Sequence, residues 1–341
     1  MVPVQDLFVT LSETVKLELE QAGLPLSKSL DVNVLTHGLS NQNYLFREFL
    51  TGKAWVLRVN SAASSHICDR GAEVTNWLIA AKKGLAPSLY YVSQDMKYYL
   101  SEYIEQDTGL WGCLNTAKSA YPLLEESVLW PDADLALLSL LTQLSELPCP
   151  ENSLSVSKQW AIYQESMQDM ASVMEFSSIT EHWHECHHAL MSLQDIIRQW
   201  LSKLDKCATA EQYSHRDLNP HNLLLREGKL YCIDFEYACS SHPLFDLAGV
   251  LSSHALSTCQ RHHLIEAYLT NHPKLTSTAR DSLPDAINIY WVFAACWSLL
   301  MAADEVGNSG VMVEQERASP HQASQYLECF KQFYALIQKH E

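Results

Sequence analysis

Two acids and an amide stand at spacings that could align a phosphoryl group for transfer. The run His215-Arg216-Asp217-Leu218-Asn219-Pro220-His221-Asn222 has the form H-x-D-x-x-x-x-N, and Ile233-Asp234-Phe235-Glu236-Tyr237-Ala238 follows it. Such a loop places one carboxylate beside an attacking hydroxyl and one amide beside a metal, while a second carboxylate holds the same metal. On this reading Asp217 receives or orients the acceptor's proton, Asn222 and Asp234 bind Mg²⁺, and ATP is the donor. His215 braces the loop by hydrogen bonding and transfers no proton. Leu223-Leu224-Leu225 is strand-like, Glu227-Gly228-Lys229 turns, and Leu230-Tyr231-Cys232-Ile233 returns with Asp234 at its tip. A buried strand pair with ordinary polar flanks would explain any one of these features. It does not explain all four in order.

These groups need a scaffold, and hydrophobic periodicity supplies one. Residues 1–28 read as an amphipathic helix, with Leu7, Leu11, Val15 and Leu19 at helical spacing and Gly23-Leu24-Pro25 ending it. Strand-like runs follow at 32–35, 44–49 and 54–59, with Thr51-Gly52 turning the chain. Residues 72–83 form a helix stopped at Gly84. Two more strands, 89–92 and 98–103, flank a Gln94-Asp95 turn. From about Gly109 the pattern becomes helical apart from the hairpin before Asp234. The boundary falls just after Ile104, giving a small unit of residues 1–104 and a large one of residues 105–341. Between the first two strands, Gly38-Leu39-Ser40-Asn41-Gln42-Asn43 offers successive backbone N–H groups to an anion, and Gly38 permits close approach. Arg58 lies between strand hydrophobics, where a guanidinium could grip two phosphate oxygens and stay charged.

The second acid lacks the Phe-Gly of protein kinases. Asp234-Phe235-Glu236-Tyr237-Ala238 and His242-Pro243-Leu244-Phe245-Asp246-Leu247-Ala248 resemble instead the aminoglycoside phosphotransferase and choline kinase superfamily, nearest its choline/ethanolamine and thiamine kinase branch. The resemblance runs from about residue 32 to 300 and is strongest over 213–249. It implies an α+β, protein-kinase-like bilobal fold. It makes Gly38, Ser40, Asn41 and Asn43 a phosphate loop, Arg58 the phosphate-binding cation and Glu73 its orienting partner. Glu102, Tyr103 and Ile104 become the adenine-contacting connection, and Asp246 a structural carboxylate. The acceptor it implies is a cation held among aromatic rings: Tyr237 matches one position and Trp297 another, with Trp291 nearby. The family's further tryptophan would fall at Ala294. That departure leaves room for thiamine or another amino alcohol beside choline and ethanolamine. Aminoglycoside and other metabolite kinases, or a non-catalytic nucleotide binder, are the alternatives. Arg58 and Asp-Phe-Glu-Tyr-Ala count against the first, and the intact Asp217, Asn222 and Asp234 against the second.

Bulk properties fit. With 341 residues the chain can bury two cores, and 47% hydrophobic with 18% charged residues describes an ordinary globular protein. A net charge of -17 disfavours nucleic acid and anionic membranes and suits a cationic acceptor. Ten scattered cysteines without a Cys-x-x-Cys pair indicate reduced thiols, and no secretory leader is expected, so the protein is placed in the cytoplasm. Residues 286–303 approach transmembrane length, but Asn288, Ser298 and the Asp304-Glu305 pair argue for a buried helix. In His182-Trp183-His184-Glu185-Cys186-His187-His188, His184 and His188 share a helical face that could bind zinc, though a surface helix accounts for it more simply.

Overall fold

Large side chains alternate with smaller or polar ones along the early strands, and that alternation decides which face of the sheet is buried. The computed structural model describes residues 11–26, 30–35, 41–60, 69–107, 111, 131–174, 177–307 and 320–338. Five antiparallel strands, β1 (Leu30–Leu35), β2 (Gln42–Glu48), β3 (Ala54–Val59), β4 (Leu89–Val92) and β5 (Tyr98–Glu102), form one sheet in the order β1-β2-β3-β5-β4. Tyr44, Phe46, Trp55, Leu57, Tyr98 and Leu100 point to one face. They pack with Leu19 of helix α1 (Glu13–Gln21) and with Leu24 beyond it. The opposite face carries Arg58, with Asn43 and Tyr99 as its register partners on the neighbouring strands. Register thus separates the hydrophobic core from the polar chemistry.

Among the described residues, helix α1 starts and ends inside the range that periodicity predicts. Its N-cap is Ser12, whose Oγ accepts from Val15 N, and Gly23 at φ 99° ends it. Leu7 lies outside the described residues, as do Gly38 and Ser40 of the expected phosphate loop. Helix α2 (Arg70–Lys82) starts two residues earlier than expected because Asp69 caps it, accepting from Ala72 N at 3.0 Å. It buries Arg70, Glu73, Asn76, Trp77 and Ala80, a stripe that is largely polar.

The later elements are α3 (Ala133–Ser145), α4 (Val156–Val173), α5 (Ser178–Met191), α6 (Gln194–Cys207), β6 (Gln212–Ser214), the hairpin β7 (Leu223–Arg226) and β8 (Lys229–Cys232), β9 (Cys239–Ser241), α7 (Leu244–Ser253), α8 (Thr258–Leu269), α9 (Ala279–Gly307) and α10 (Pro320–Leu336). Contacts divide the chain into two compact units. One lies within Met1–Asn115, Leu129–Asn152 and His215–Cys239, the other within Ser153–Ser214 and Ser240–Glu341. The segment carrying the candidate acids therefore groups with the five-stranded sheet, across the chain-order boundary expected after Ile104.

Backbone bonds explain that grouping. Cys232 N donates to Leu85 O at 2.7 Å, and Asp107 N donates to Leu225 O at 2.9 Å. The β7–β8 turn has φ of 53° at Glu227 and 73° at Gly228, a tight hairpin turn in which the second position suits glycine. Asp107 receives the N–H of Glu227 at 3.0 Å, pinning the turn to the segment after β5.

In the second unit α9 is the centre. It packs against α4, α5, α6, α7 and α10. By length and composition it could cross a membrane, yet 67% of its most apolar stretch is buried within the fold. Gly249 of α7 lets the helices approach, since a Cβ there would stand 3.2 Å from the Tyr290 ring. On α5, His184 and His188 are exposed. Among the described residues no cluster of three metal-ligating side chains occurs.

Phe46 is fully buried, and Phe46→Ala should cost about 3–5 kcal/mol of stability. Leu50 at 91% exposure serves as the control, with Leu50→Ala expected within about 0.5 kcal/mol of the parent. Denaturant unfolding of the two variants checks both values.

Candidate active site

Arg58 has almost no access to water, with 8% of its side chain exposed. A buried guanidinium is tolerated only where opposite charge and hydrogen bonds replace its hydration. Here Nη1 lies 2.9 Å from Glu73 Oε1 and 3.3 Å from Asp234 Oδ1, and Nε donates to Asn60 Oδ1 at 2.7 Å. The cation stands 5.6 Å from the Tyr99 ring centroid. Burial works against the charge, but Asp234, Glu73 and Glu236 outweigh it and hold the Arg58 pKa above its ordinary value. Its Nη2 is buried without a hydrogen-bond partner among the described residues.

Glu73 is held from a second side. Arg70, one turn earlier on α2, donates from Nη1 to Glu73 Oε2 at 2.7 Å, and the same Nη1 lies 3.9 Å from Glu236 Oε2. Tyr99 Oη approaches Glu73 Oε2 at 3.5 Å, and burial first, then Glu73, pushes the Tyr99 hydroxyl up to about 12. Five ionic side chains from β3, α2 and the segment after β8 thus form one cluster.

Asp234 has φ 67°, a conformation uncommon for a residue with a side chain. Its neighbours hold it there. Ile233 N donates to Asn222 O at 3.0 Å, and the Ile233 carbonyl accepts from His215 Nε2 at 3.1 Å. Phe235 stacks on Trp77 of α2 at 5.9 Å and meets the His215 ring at 4.8 Å. The Ala238 carbonyl accepts from Asn76 Nδ2 at 2.6 Å and Asn152 Nδ2 at 3.0 Å. His215 is wholly buried, and that burial lowers its pKa to about 4, so the ring is neutral at pH 7 and donates from Nε2.

The loop orients its other acid with amides. Asn222 Nδ2 donates to Asp217 Oδ2 at 2.7 Å and to Asp217 O at 3.1 Å, while Asn219 Nδ2 donates to Oδ1 at 2.9 Å. Asn219 Oδ1 accepts from His221 N at 2.9 Å, which fixes its amide orientation. With Nδ2 of Asn222 directed at Asp217, its Oδ1 is the atom left for a cation. Arg216 at φ 69° turns the backbone so that Asp217 enters this arrangement. A hard divalent cation such as Mg²⁺ prefers oxygen donors, and Asp234, with 28% of its side chain exposed, and Asn222 present a fitting set.

The structure brings Asn43, Arg58, Glu73, His215, Asp217, Asn222 and Asp234 into one unit. Asn41, nearly buried, belongs to it too, as do Glu102, Tyr103, Ile104 and the half-buried Tyr237. Glu102 turns its carboxylate to Ser88 Oγ at 2.9 Å, Tyr103 lies under the Arg47 guanidinium at 5.5 Å, and Ile104 is buried. A polar cavity of about 360 Å³ opens beside this connection, lined by Arg47, Tyr103, Gln106, Asp107 and Arg226 among others. Asp246, Trp291 and Trp297 belong to the other unit. Asp246 is buried in the first turn of α7. Trp291 is 3% exposed and stacks on Phe333 at 5.7 Å, as a core side chain does. Trp297 is half-buried and meets Tyr326 of α10 edge-on at 5.6 Å.

Sequence reasoning missed Arg70, Asn76, Asn152, Asn219 and Tyr326. The first two were detectable as members of an Arg70–Glu73–Asn76–Trp77 stripe at helical spacing. Asn219 sits at a variable place within the loop pattern, and Asn152 and Tyr326 lie far from any motif.

Comparison with known proteins identifies the family and the fold. The sequence profile of the phosphotransferase enzyme family matches residues 31–277. Protein LicA of Haemophilus influenzae is 25% identical over 241 residues, which are 71% of this chain and 63% of that protein, so the match spans less than two thirds of its length. A choline/ethanolamine kinase family protein from Mesorhizobium loti superposes with a TM-score of 0.62 at 17% identity, covering 96% of this chain and 95% of that one. The choline kinase LicA from Streptococcus pneumoniae superposes at 0.59 and 17% identity, over 95% of this chain and 100% of that one. These likenesses show the expected protein-kinase-like α+β fold.

His215 makes stability depend on pH. Its folded pKa of about 4 lies below the ordinary 6.5, so the unfolded chain takes up the proton first as pH falls. Stability is therefore lost between pH 6.5 and 4, by about 2 kcal/mol at pH 5 relative to pH 7. His254, lowered to about 3 by burial, adds a loss of the same sign. Denaturant unfolding at the two pH values should show the combined loss, and His215→Gln should remove the His215 share.

Proposed function

This chain belongs to the phosphotransferase enzyme family, and from that premise we propose that it moves the γ-phosphoryl group of ATP to the hydroxyl of a small cationic alcohol. Choline, ethanolamine and thiamine are the acceptor types the reading favours. The observation that carries it is the pair of differently held acids. Asp217 has both oxygens engaged by amide N–H groups, which aim the carboxylate without protonating it. Asp234 is ion-paired to Arg58 yet keeps 28% of its side chain exposed. Phosphoryl transfer asks for this combination of alignment and charge compensation.

In this reading Asp217 accepts or orients the acceptor hydroxyl proton. Arg58 offers its phosphate-facing charge, kept in place by Glu73. Asn222 Oδ1 and Asp234 hold Mg²⁺, which when bound neutralises phosphate charge. His215, neutral and hydrogen-bonded, braces Ile233 and transfers no proton. Gly38, Ser40, Asn41 and Asn43 contribute the phosphate loop, and the backbone of Glu102, Tyr103 and Ile104 receives adenine. The lobe division at residue 104 and a cytosolic location, where ATP is available, belong to the same proposal. The names of the relatives support a choline-type acceptor: one is a choline kinase and another a choline/ethanolamine kinase family protein. The half-buried Tyr237 and Trp297 remain the proposed aromatic contacts, and Tyr326 joins them through its contact with Trp297. Trp291, buried against Phe333, is a core side chain of its own unit.

An ATP-consumption assay across choline, ethanolamine, thiamine and kanamycin tests the proposal. Turnover with one of the first three supports it, and turnover with kanamycin alone replaces it with an antibiotic-kinase reading. Asp217→Ala should lower kcat about 10²- to 10⁴-fold while nucleotide affinity stays near that of the parent. Trp297→Leu should raise the acceptor KM about 5- to 30-fold, the loss of one partly desolvated cation–π contact, with little change in the KM for ATP. Lost thermal stability with an unchanged acceptor KM would assign Trp297 to the core instead.

A further inference from the structure

Arg70 is a buried cation that the loop pattern does not assign. Only 7% of its side chain is exposed, against 0% for Glu73 and 10% for Glu236, its two carboxylate neighbours. One nitrogen, Nη1, approaches both, at 2.7 Å and 3.9 Å. We infer that Arg70 is a positioning residue of the phosphoryl-transfer centre: it holds Glu73 and Glu236 on one guanidinium, and thereby sets the charge and orientation of the Arg58–Asp234 pair. The inference rests on the phosphotransferase reading above and deepens it.

Charge and connectivity carry the argument. The cluster contains two guanidiniums, Arg58 and Arg70, and three carboxylates, Glu73, Asp234 and Glu236, for a net charge of −1. Asp234 is the most exposed of the five side chains, so the surplus charge resides where a divalent cation would arrive. Without Arg70 the same carboxylates face a single guanidinium. Glu73 and Glu236 would then compete with Asp234 and with phosphate for Arg58, in a setting where screening by water is weak. Arg70 also couples two backbone segments. Glu236 lies two residues after Asp234, which keeps φ 67° only while its flanks are held. Asn76 and Trp77 hold those flanks from the same helix, at Ala238 and Phe235. Arg70 completes the grip of α2 on the segment between them.

The experiment is a double-mutant cycle on the full chain, reading the KM for ATP, the Mg²⁺ concentration at half-maximal rate, the acceptor KM and the thermal midpoint. Arg70→Met should raise the KM for ATP and the Mg²⁺ requirement about tenfold, with the acceptor KM within about twofold of the parent. Glu236→Gln, which removes the cluster's surplus negative charge, should shift the KM for ATP and the Mg²⁺ requirement by about threefold, less than Arg70→Met does. The combined variant R70M/E236Q, which restores the net charge, should return to within about threefold of the parent. A purely structural Arg70 predicts the reverse: the double variant no better than R70M, or a lowered thermal midpoint with an unchanged KM for ATP. Either result overturns the inference. Should R70M fail to fold, Arg70→Lys keeps the charge without the forked reach, and it must still raise the KM for ATP about threefold. An unchanged value there also overturns it. A parent protein that neither binds Mg·ATP nor consumes it overturns the phosphotransferase reading and this inference with it. A parent that does both, with no coupling in the cycle, removes the inference alone.

Discussion

A guanidinium taken out of water is the constraint from which the first unit's architecture follows. Arg58 stays buried and charged only because Glu73 and Asp234 stand at 2.9 and 3.3 Å from the same nitrogen. Those carboxylates come from a helix and from a distant loop. Satisfying the cation therefore fixes α2 and the segment after β8 against β3 simultaneously. Desolvating such groups offsets most of what their attraction contributes, so the cluster is poor evidence for stability. Its value lies in geometry. One arrangement satisfies all partners, and displacement of any member leaves another charge uncompensated.

The two acids of the site are handled by different physics. Asp234 sits in the ionic cluster, where its charge is matched by a cation and its strained backbone is clamped by Trp77, Asn76 and His215 contacts on either side. Asp217 is held by neutral amides from Asn219 and Asn222 within its own loop. Amide donors aim a carboxylate while leaving its charge available to a substrate proton. An ion pair would have quenched that charge. Arg216 and Asp234 both adopt left-handed backbone conformations, and such conformations persist only where surrounding contacts over-determine them.

Much of this was legible in sequence because the signals were local. Strands 54–59 and 89–92 are short apolar runs next to turn residues and appear with those bounds. Asp217, Asn222 and Asp234 are legible because their spacing is a chain-order property. Among the described residues the helix expected over 1–28 appears as Glu13–Gln21, since apolar spacing cannot register a cap such as Ser12; residues 1–10 lie outside the described residues. The distant partner of Arg70 was invisible for another reason. Asp69-Arg70-Gly71 looks like a solvated turn, and only the fold shows Glu236 arriving beside it. Tyr326 joins Trp297 through helix packing, which no periodicity within one segment encodes.

Arg58 and Asp234 are hydrogen-bonded across 176 positions of chain. A ribosome extrudes Arg58 and Glu73 long before it makes the partner that completes their cluster. The β-sheet can collapse early around Phe46 and Leu57, whose contacts are short-range in sequence, while the polar face waits. Long-range closures of this kind come late and slowly, since the loop entropy must be overcome before any contact rewards it. During synthesis the nascent chain thus carries a formed hydrophobic core with an unfinished ionic one. Docking of 233–238 onto α2 must wait until the chain has grown past those residues, so the ionic cluster closes in one late step and not in proportion to chain length.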